Sequence, residues 1–173
     1  MENTALRDQL ERLLKAYNFY FDVTRDVAVG DEVYPAAAVY HFREENYVAT
    51  KAHTLYATEQ HEYVYFYLTE HLDLPALQRQ IERTREAGLA RVHPHKEHMF
   101  SYVTLIVLAG SIDEDAARFL TKYRFRKNFR LTLHGWMEYH IAAMDTSAQR
   151  FLSNPAGREA RKTLERNFLP KAK

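Results

Sequence analysis

Apolar positions change their period along the chain, and each change marks an element. Leu6, Leu10, Leu13, Leu14 and Tyr17 recur at helical spacing and predict an amphipathic first helix. Phe19, Phe21 and Val23 then alternate with Tyr20, Asp22 and Thr24, the pattern of a half-buried strand. Gly30-Asp31 predicts a turn. Residues 33–42 and 47–58 read as two strands joined by the polar Arg43-Glu44-Glu45-Asn46, and residues 63–68, after His61-Glu62, as another. Pro35 has no N–H for a ladder, so the first of these strands starts late or lies at a sheet edge. Connections this short predict an antiparallel meander.

From residue 73 the pattern changes. Asp73 is placed to cap a helix running to residue 87, with Pro75 in its first turn and Gly88 as its stop. Leu74, Leu77 and Ile81 line its buried face. Residues 100–109 are nearly all apolar, as a strand covered on both faces must be. Ser111 and Glu114 have the spacing of a capping box, opening a helix that buries Ile112, Ala116, Phe119, Leu120 and Tyr123. A further strand carries Phe129, Leu131 and Leu133 on one side, Gly135 bends the chain, and residues 136–144 continue as strand. Ser153-Asn154-Pro155 opens a last helix with Ala160, Leu164 and Phe168 on one face. The expected fold is α+β (or α/β). It is a single domain over residues 1–173, an antiparallel meander extended by a β-α-β unit, with an N-terminal and a C-terminal helix. Its core covers about residues 6–145, and a basic helix follows at about residues 155–169.

Composition narrows the function classes. The chain has no cysteine, which excludes disulfides, thiolate metal sites and thiol nucleophiles and fits a cytoplasmic, soluble protein. Met1-Glu2-Asn3-Thr4 does not open a signal peptide, and the apolar run at 103–110 is too short to span a bilayer. Charge is uneven. Residues 1–90 hold 9 basic and 15 acidic side chains, net −6, and residues 91–173 hold 15 and 8, net +7. Such asymmetry fits a nucleic-acid surface or, more plainly, acidic and basic elements side by side in one fold. Phosphate loops, dinucleotide fingerprints and the G-x-S-x-G elbow are absent, and five dispersed glycines could not build them. A meander followed by β-α-β also occurs in nuclease domains with a carboxylate–x–Lys motif, but no Asp or Glu here has Lys two positions later.

Four constellations carry possible chemistry. His93, His95, Glu97 and His98 form the densest group of metal-ligand types; in an extended segment His93, His95 and Glu97 share a face, suited to a divalent transition metal. The plainer reading is a solvated loop, with His98 bonded to a backbone carbonyl. Glu138 and His140 share a strand face with Trp136 and His134 and would make an acid/base pair, joined by His41 and His53 from other strands, or simply a polar sheet face. Arg124, Arg126, Lys127 and Arg130 interleave with Phe125 and Phe129, and Arg158, Arg161 and Lys162 lie on the last helix; together they would form an anion or nucleic-acid surface if they share a face. Otherwise the phenylalanines are core and the cations a solvated helix end. Tyr47, Tyr56, Tyr63, Tyr65 and Tyr67 would give an exposed, tyrosine-rich sheet suited to self-association.

Tyr20-Phe21-Asp22, Pro94-His95-Lys96-Glu97-His98-Met99, Ser111-Ile112-Asp113-Glu114 and His134-Gly135-Trp136 together resemble an uncharacterised bacterial domain family of unknown function, over about residues 6–145. The resemblance implies one compact domain and no activity. The first functional expectation is a non-enzymatic cytoplasmic domain that binds a protein partner or a second copy of itself. The second is nucleic-acid or anion binding. The third is a metal-dependent enzyme built on residues 93–98. No cofactor beyond such a metal and no membrane partner is expected.

Overall fold

The computed structural model describes residues 4–47 and 54–170, the side chains of residues 44–47 and 54–58 excepted. An N-terminal helix, α1 (Thr4–Tyr17), leads into a meander of β1 (Asp22–Val29), β2 (Glu32–Tyr47) and β3 (Thr54–Leu72). Helix α2 (Leu74–Arg91) crosses to β4 (His98–Ile112), and α3 (Glu114–Lys122) leads to β5 (Arg126–Asn128) and β6 (Trp136–Asp145). The short β7 (Arg150–Ser153) and α4 (Arg158–Phe168) close the chain. The sheet runs β1-β2-β3-β4-β6-β5, with β7 also on β6. β3, β4 and β6 are parallel to one another and the other pairings are antiparallel. This is the expected α+β domain. Among the described residues no helix is long and apolar enough to cross a membrane.

Helices pack on both faces because β4 is apolar on both. Leu6, Leu10, Leu13 and Leu14 of α1 and Leu164 of α4 meet Ala36, Val64, Phe66, Ile106 and Ala142 on one face. Leu77 and Ile81 of α2 and Ala116 and Leu120 of α3 meet Tyr65, Val103, Leu105 and Ile141 on the other. Gly88 does not stop α2 but lies buried inside it: a Cβ there would stand 2.4 Å from Val103 Cγ2. Its missing side chain lets helix and central strand touch. Tyr63 and Tyr65 are buried under this helix, not on an exposed sheet, while Tyr47 and Tyr56 lie outside the described side chains.

Several local expectations change. Residues 18–21 form the turn out of α1, with Phe21 N bonded to Tyr17 O at 2.9 Å, because the chain must reverse to enter the sheet. Residues 43–46 continue β2 and residues 61–62 continue β3; their polarity reflects sheet beyond the helices, not loops. Pro35 lies within β2, where the ladder to β1 skips it and Asp26, which has φ +51°. Ser111 remains in β4 opposite His71, so no capping box forms and Asp113 is the cap residue of α3. Residues 129–135 are the reversal between β5 and β6, with Arg130, Leu131 and Thr132 all left-handed at φ 46°, 53° and 77°. The alternation therefore breaks off after Phe129, which packs against the core, while Leu131 is 92% and Leu133 76% exposed.

Asn154, buried just after β7, precedes α4 instead of opening it. Its Oδ1 accepts from Ile141 N at 2.9 Å and Gly157 N at 2.8 Å, and its Nδ2 donates to Tyr139 O at 3.0 Å and Tyr123 O at 3.2 Å. The side chain fills the edge of β6 between the stretches paired by β5 and β7 and anchors the start of α4. Asn154→Leu, which takes this partner from Ile141 N and from the Tyr139 and Tyr123 carbonyls while Gly157 N keeps the Asn154 carbonyl at 3.2 Å, is expected to destabilise the fold by about 2 kcal/mol or more in urea unfolding, since each unsatisfied buried group costs about 1–3 kcal/mol. Leu13→Ala, at a fully buried site, is expected to cost about 2–5 kcal/mol. An Asn154→Leu protein as stable as wild type would refute the anchor.

Candidate functional site

The strand register builds two polar sites, back to back, toward the open end of the sheet. On the α1/α4 face, one row across the sheet is Ala36, Phe66, Ile106 and Ala142, all buried and apolar. The next row toward the open end is Ala38, Val64, Thr104 and His140. After it comes Tyr40, Glu62, Tyr102, Glu138 and Arg126, then Phe42, Gln60, Phe100, Trp136 and Asn128. Polarity thus enters the sheet face within two rows of the core.

These rows floor a cavity of about 560 Å³. Ala16, Tyr17, Tyr20 and Phe21 wall it at the end of α1, and Glu159, Ala160, Thr163, Arg166 and Asn167 wall it from α4. Glu62 receives a hydrogen bond from Thr104 Oγ1 at 2.8 Å; burial pushes its carboxyl above the ordinary value, and the threonine only partly opposes this. Burial likewise pushes the His140 imidazole down, against the nearby Glu138 carboxylate. His140 Nε2 is buried without a hydrogen-bond partner, its nearest carboxylate oxygen, Glu138 Oε2, being 3.6 Å away. The Tyr102 ring lies 4.3 Å from the His140 ring, and its hydroxyl is held up by burial and by the charges of Glu138 and Glu62. Tyr17 is only 8% exposed, and burial and the charge of Glu62 push its hydroxyl far up, so it stays protonated. An imidazole pushed toward its neutral form, a carboxyl with one neutral donor and a protonated phenol make a set of hydrogen-bond donors and acceptors facing one space.

The opposite face carries a histidine network. Its rows are Arg43, Glu59 and His98, then His41, His61, Ser101, Met137 and Lys127. The His41 and His61 Nδ1 atoms meet across the β2–β3 pair. Glu59 Oε2 accepts from His95 Nε2 at 2.9 Å and lies 3.6 Å from His61 Nε2, and Glu59 Oε1 takes Arg43 at 2.7 Å. Against burial, the His95 hydrogen bond and the charges of His95, Arg43 and His61 hold the Glu59 carboxyl below its ordinary range. Burial and the neighbouring His41 push His61 down.

The residues singled out from sequence fall between these sites. His93, His95, Glu97 and His98 do not converge. His93 is exposed, His95 goes to Glu59, and Glu97 pairs with Arg43 at 3.2 Å. His98 is buried between the His134 carbonyl at 2.7 Å and Ser101 Oγ at 2.8 Å. Among the described residues no group of three or more His, Asp or Glu is arranged to hold a metal ion. Glu138 and His140 do share a face with Trp136, but His41 is on the opposite face, His134 is in the turn, and His53 lies outside the described residues. Arg126 stacks on Trp136, 4.6 Å from the ring centre, and Lys127 lies 5.9 Å from Phe129. Arg161 pairs with Glu165 at 3.2 Å and Lys162 with Glu159 at 2.7 Å, while Arg124 and Arg158 are on α3's exit and α4, and Arg130 is in the left-handed turn. Sequence reasoning missed Tyr17, Glu62, Tyr102 and Thr104. The signals were a carboxylate in phase with apolar Val64 and Phe66, and the hydroxyl of Thr104 in an otherwise apolar run.

No curated protein and no solved structure matches the chain. A family model does, and it extends past the expected likeness at about residues 6–145 into the last helix. The match covers residues 7–166, and the chain belongs to that family, described as Domain of unknown function (DUF8052).

Proposed function

We propose that this domain binds a small organic molecule in the cavity between the sheet and helices α1 and α4. One observation carries the reading: polar groups that face the cavity have few or no protein partners. His140 Nε2 has none, Glu62 has only Thr104, and no hydrogen bond to the Tyr17 hydroxyl is found among the described residues. Buried polar groups are normally paired, so the unpartnered His140 nitrogen beside a carboxyl and a phenol with spare hydrogen-bonding capacity marks where a ligand completes them. The volume of about 560 Å³ lies in the range of small-molecule sites, roughly 300–1,000 Å³. Tyr17, Tyr20, Phe21 and Tyr102 supply the apolar wall such sites need. The reading differs from the first expectation, a protein partner or second copy bound through a tyrosine-rich sheet, because Tyr63 and Tyr65 of that sheet are core.

A buried carboxyl retained at a cost to stability supports the reading. Because Glu62 binds its proton more tightly folded than unfolded, its contribution to stability is full below the ordinary value of 4.5 and is lost as pH rises through the folded value. Glu62→Gln keeps the shape and removes the titration. Its melting temperature is expected to exceed that of wild type at about pH 8 and to match it near pH 4; a lower value at pH 8 would assign Glu62 to structural pairing instead. Thr163→Trp, on the cavity side of α4, fills the space. In ligand-observed NMR fragment screening, wild type is expected to yield binders that Thr163→Trp loses. Equal binding by both proteins, or none by either, would overturn the cavity assignment.

A further inference from the structure

We infer that the ligand of this cavity is a small organic cation, an alkylamine or arylalkylamine, an inference that rests on the cavity being a binding site. The first argument is charge. Three carboxyl groups, Glu62, Glu138 and Glu159, line the cavity against one guanidinium, Arg166. Glu159 is already matched: Lys162 Nζ donates to it at 2.7 Å, and Lys162 and Arg166 together hold its carboxyl low. The floor is left with Glu62 and Glu138. Arg126 is directly across the β5–β6 pair from Glu138, on the same face, yet its guanidinium is stacked on Trp136 and its Nε donates to Asn128 at 3.0 Å. Among the described residues no lysine or arginine is paired with either floor carboxyl, and the one base beside them is the His140 imidazole, 3.6 Å from Glu138 and pushed toward its neutral form by burial.

The second argument is independent of charge. Four rings, Tyr17, Tyr20, Phe21 and Tyr102, line a space whose floor is acidic. Tyr17 and Phe21 are tilted together at 5.0 Å, and Tyr17 meets Phe66 edge-on at 5.1 Å, so the ring that ends α1 is held rigidly at the wall. Ring faces attract cations, most strongly where water is excluded, and they repel carboxylates and phosphates. The third argument is the Tyr17 side chain itself. It is more than nine-tenths buried, lines the cavity and has no hydrogen-bond partner among the described residues. A donor and acceptor of this kind beside Glu62 suits an ammonium group, which has three N–H donors to distribute between carboxylates and a phenol oxygen. An anionic ligand would set its charge against Glu62 and Glu138, and a neutral one would leave both carboxylates without a counter-charge.

The test is a calorimetric titration of the full chain with a panel of alkyl- and arylalkylamines, each matched by the alcohol and the carboxylate of the same skeleton. Amines are expected to bind at least tenfold more tightly than their matched alcohols and carboxylates. Glu62→Gln and Glu138→Gln are each expected to weaken amine binding about tenfold or more while leaving the alcohols unchanged, with folding checked by circular dichroism. Tyr17→Phe, which removes one oxygen, is expected to cost less. If alcohols or carboxylates bind as well as amines, and Thr163→Trp abolishes that binding, the cavity is a ligand site and the cation assignment is wrong. If no member of the panel binds, both readings fall. Amine binding that survives both glutamine variants and Thr163→Trp would place the cation elsewhere on the surface and also overturn the inference.

Discussion

The strands at the centre of this protein are far longer than the helices that cover them. At about 3.3 Å per residue, the 19 residues of β3 extend about 60 Å, whereas the 14 residues of α1 rise about 21 Å. Helices on either face can bury only part of such a sheet. Along one part, β3, β4 and β6 present alternating apolar side chains to both layers and make the core. Along the rest, the same alternation continues where the helices no longer pack closely on the sheet, and both faces carry polar or aromatic side chains. The cavity and the histidine network are two sides of this stretch, which is why they lie back to back across the same strands.

Within the covered part, buried polar groups are completed by the chain itself. Asn154 satisfies two N–H groups and two carbonyls where the edge of β6 has no strand beside it. Asp145, also buried, accepts from Arg150 at 3.0 Å, Ser147 at 2.9 Å and Ala148 N at 3.1 Å, and those bonds hold its carboxyl low despite burial. Glu62 shows the opposite balance. It is half-buried and has one neutral donor, so desolvation wins and its carboxyl is pushed up. The contrast between Asp145 and Glu62 separates a carboxylate held by three protein donors from one held by a single neutral donor.

The histidine network shows how the same test works in reverse. His98 looks like a metal ligand in a run of His, Lys and Glu, yet both of its ring nitrogens are taken by the protein. Glu59 collects His95, His61 and Arg43, and its lowered pKa reflects that company. These side chains neutralise one another across the β2–β3–β4 face. They fasten the loop before β4 to the sheet, which a cluster read from one segment of sequence could not reveal.

Much of the architecture was legible in the chain because it follows from local periodicity. The leucines of α1, the Asp73 cap of α2, the apolar run of β4 and the four-helix, mixed-sheet α+β organisation all follow from one-dimensional pattern. So does the shared strand face of Trp136, Glu138 and His140, since side chains alternate with period two. Element ends were less legible, because Gly88 continues a helix for a reason that lies in Val103, and residues 129–134 alternate in a turn. The site was decided by tertiary structure. Glu62 and Glu138 are 76 positions apart in the chain and stand in one row only because β3, β4 and β6 pair in that register. Tyr17 joins them only because α1 ends over that row. Sequence states which side of a strand a residue occupies; which side faces a helix, and where the helix stops, depends on contacts between segments far apart in the chain.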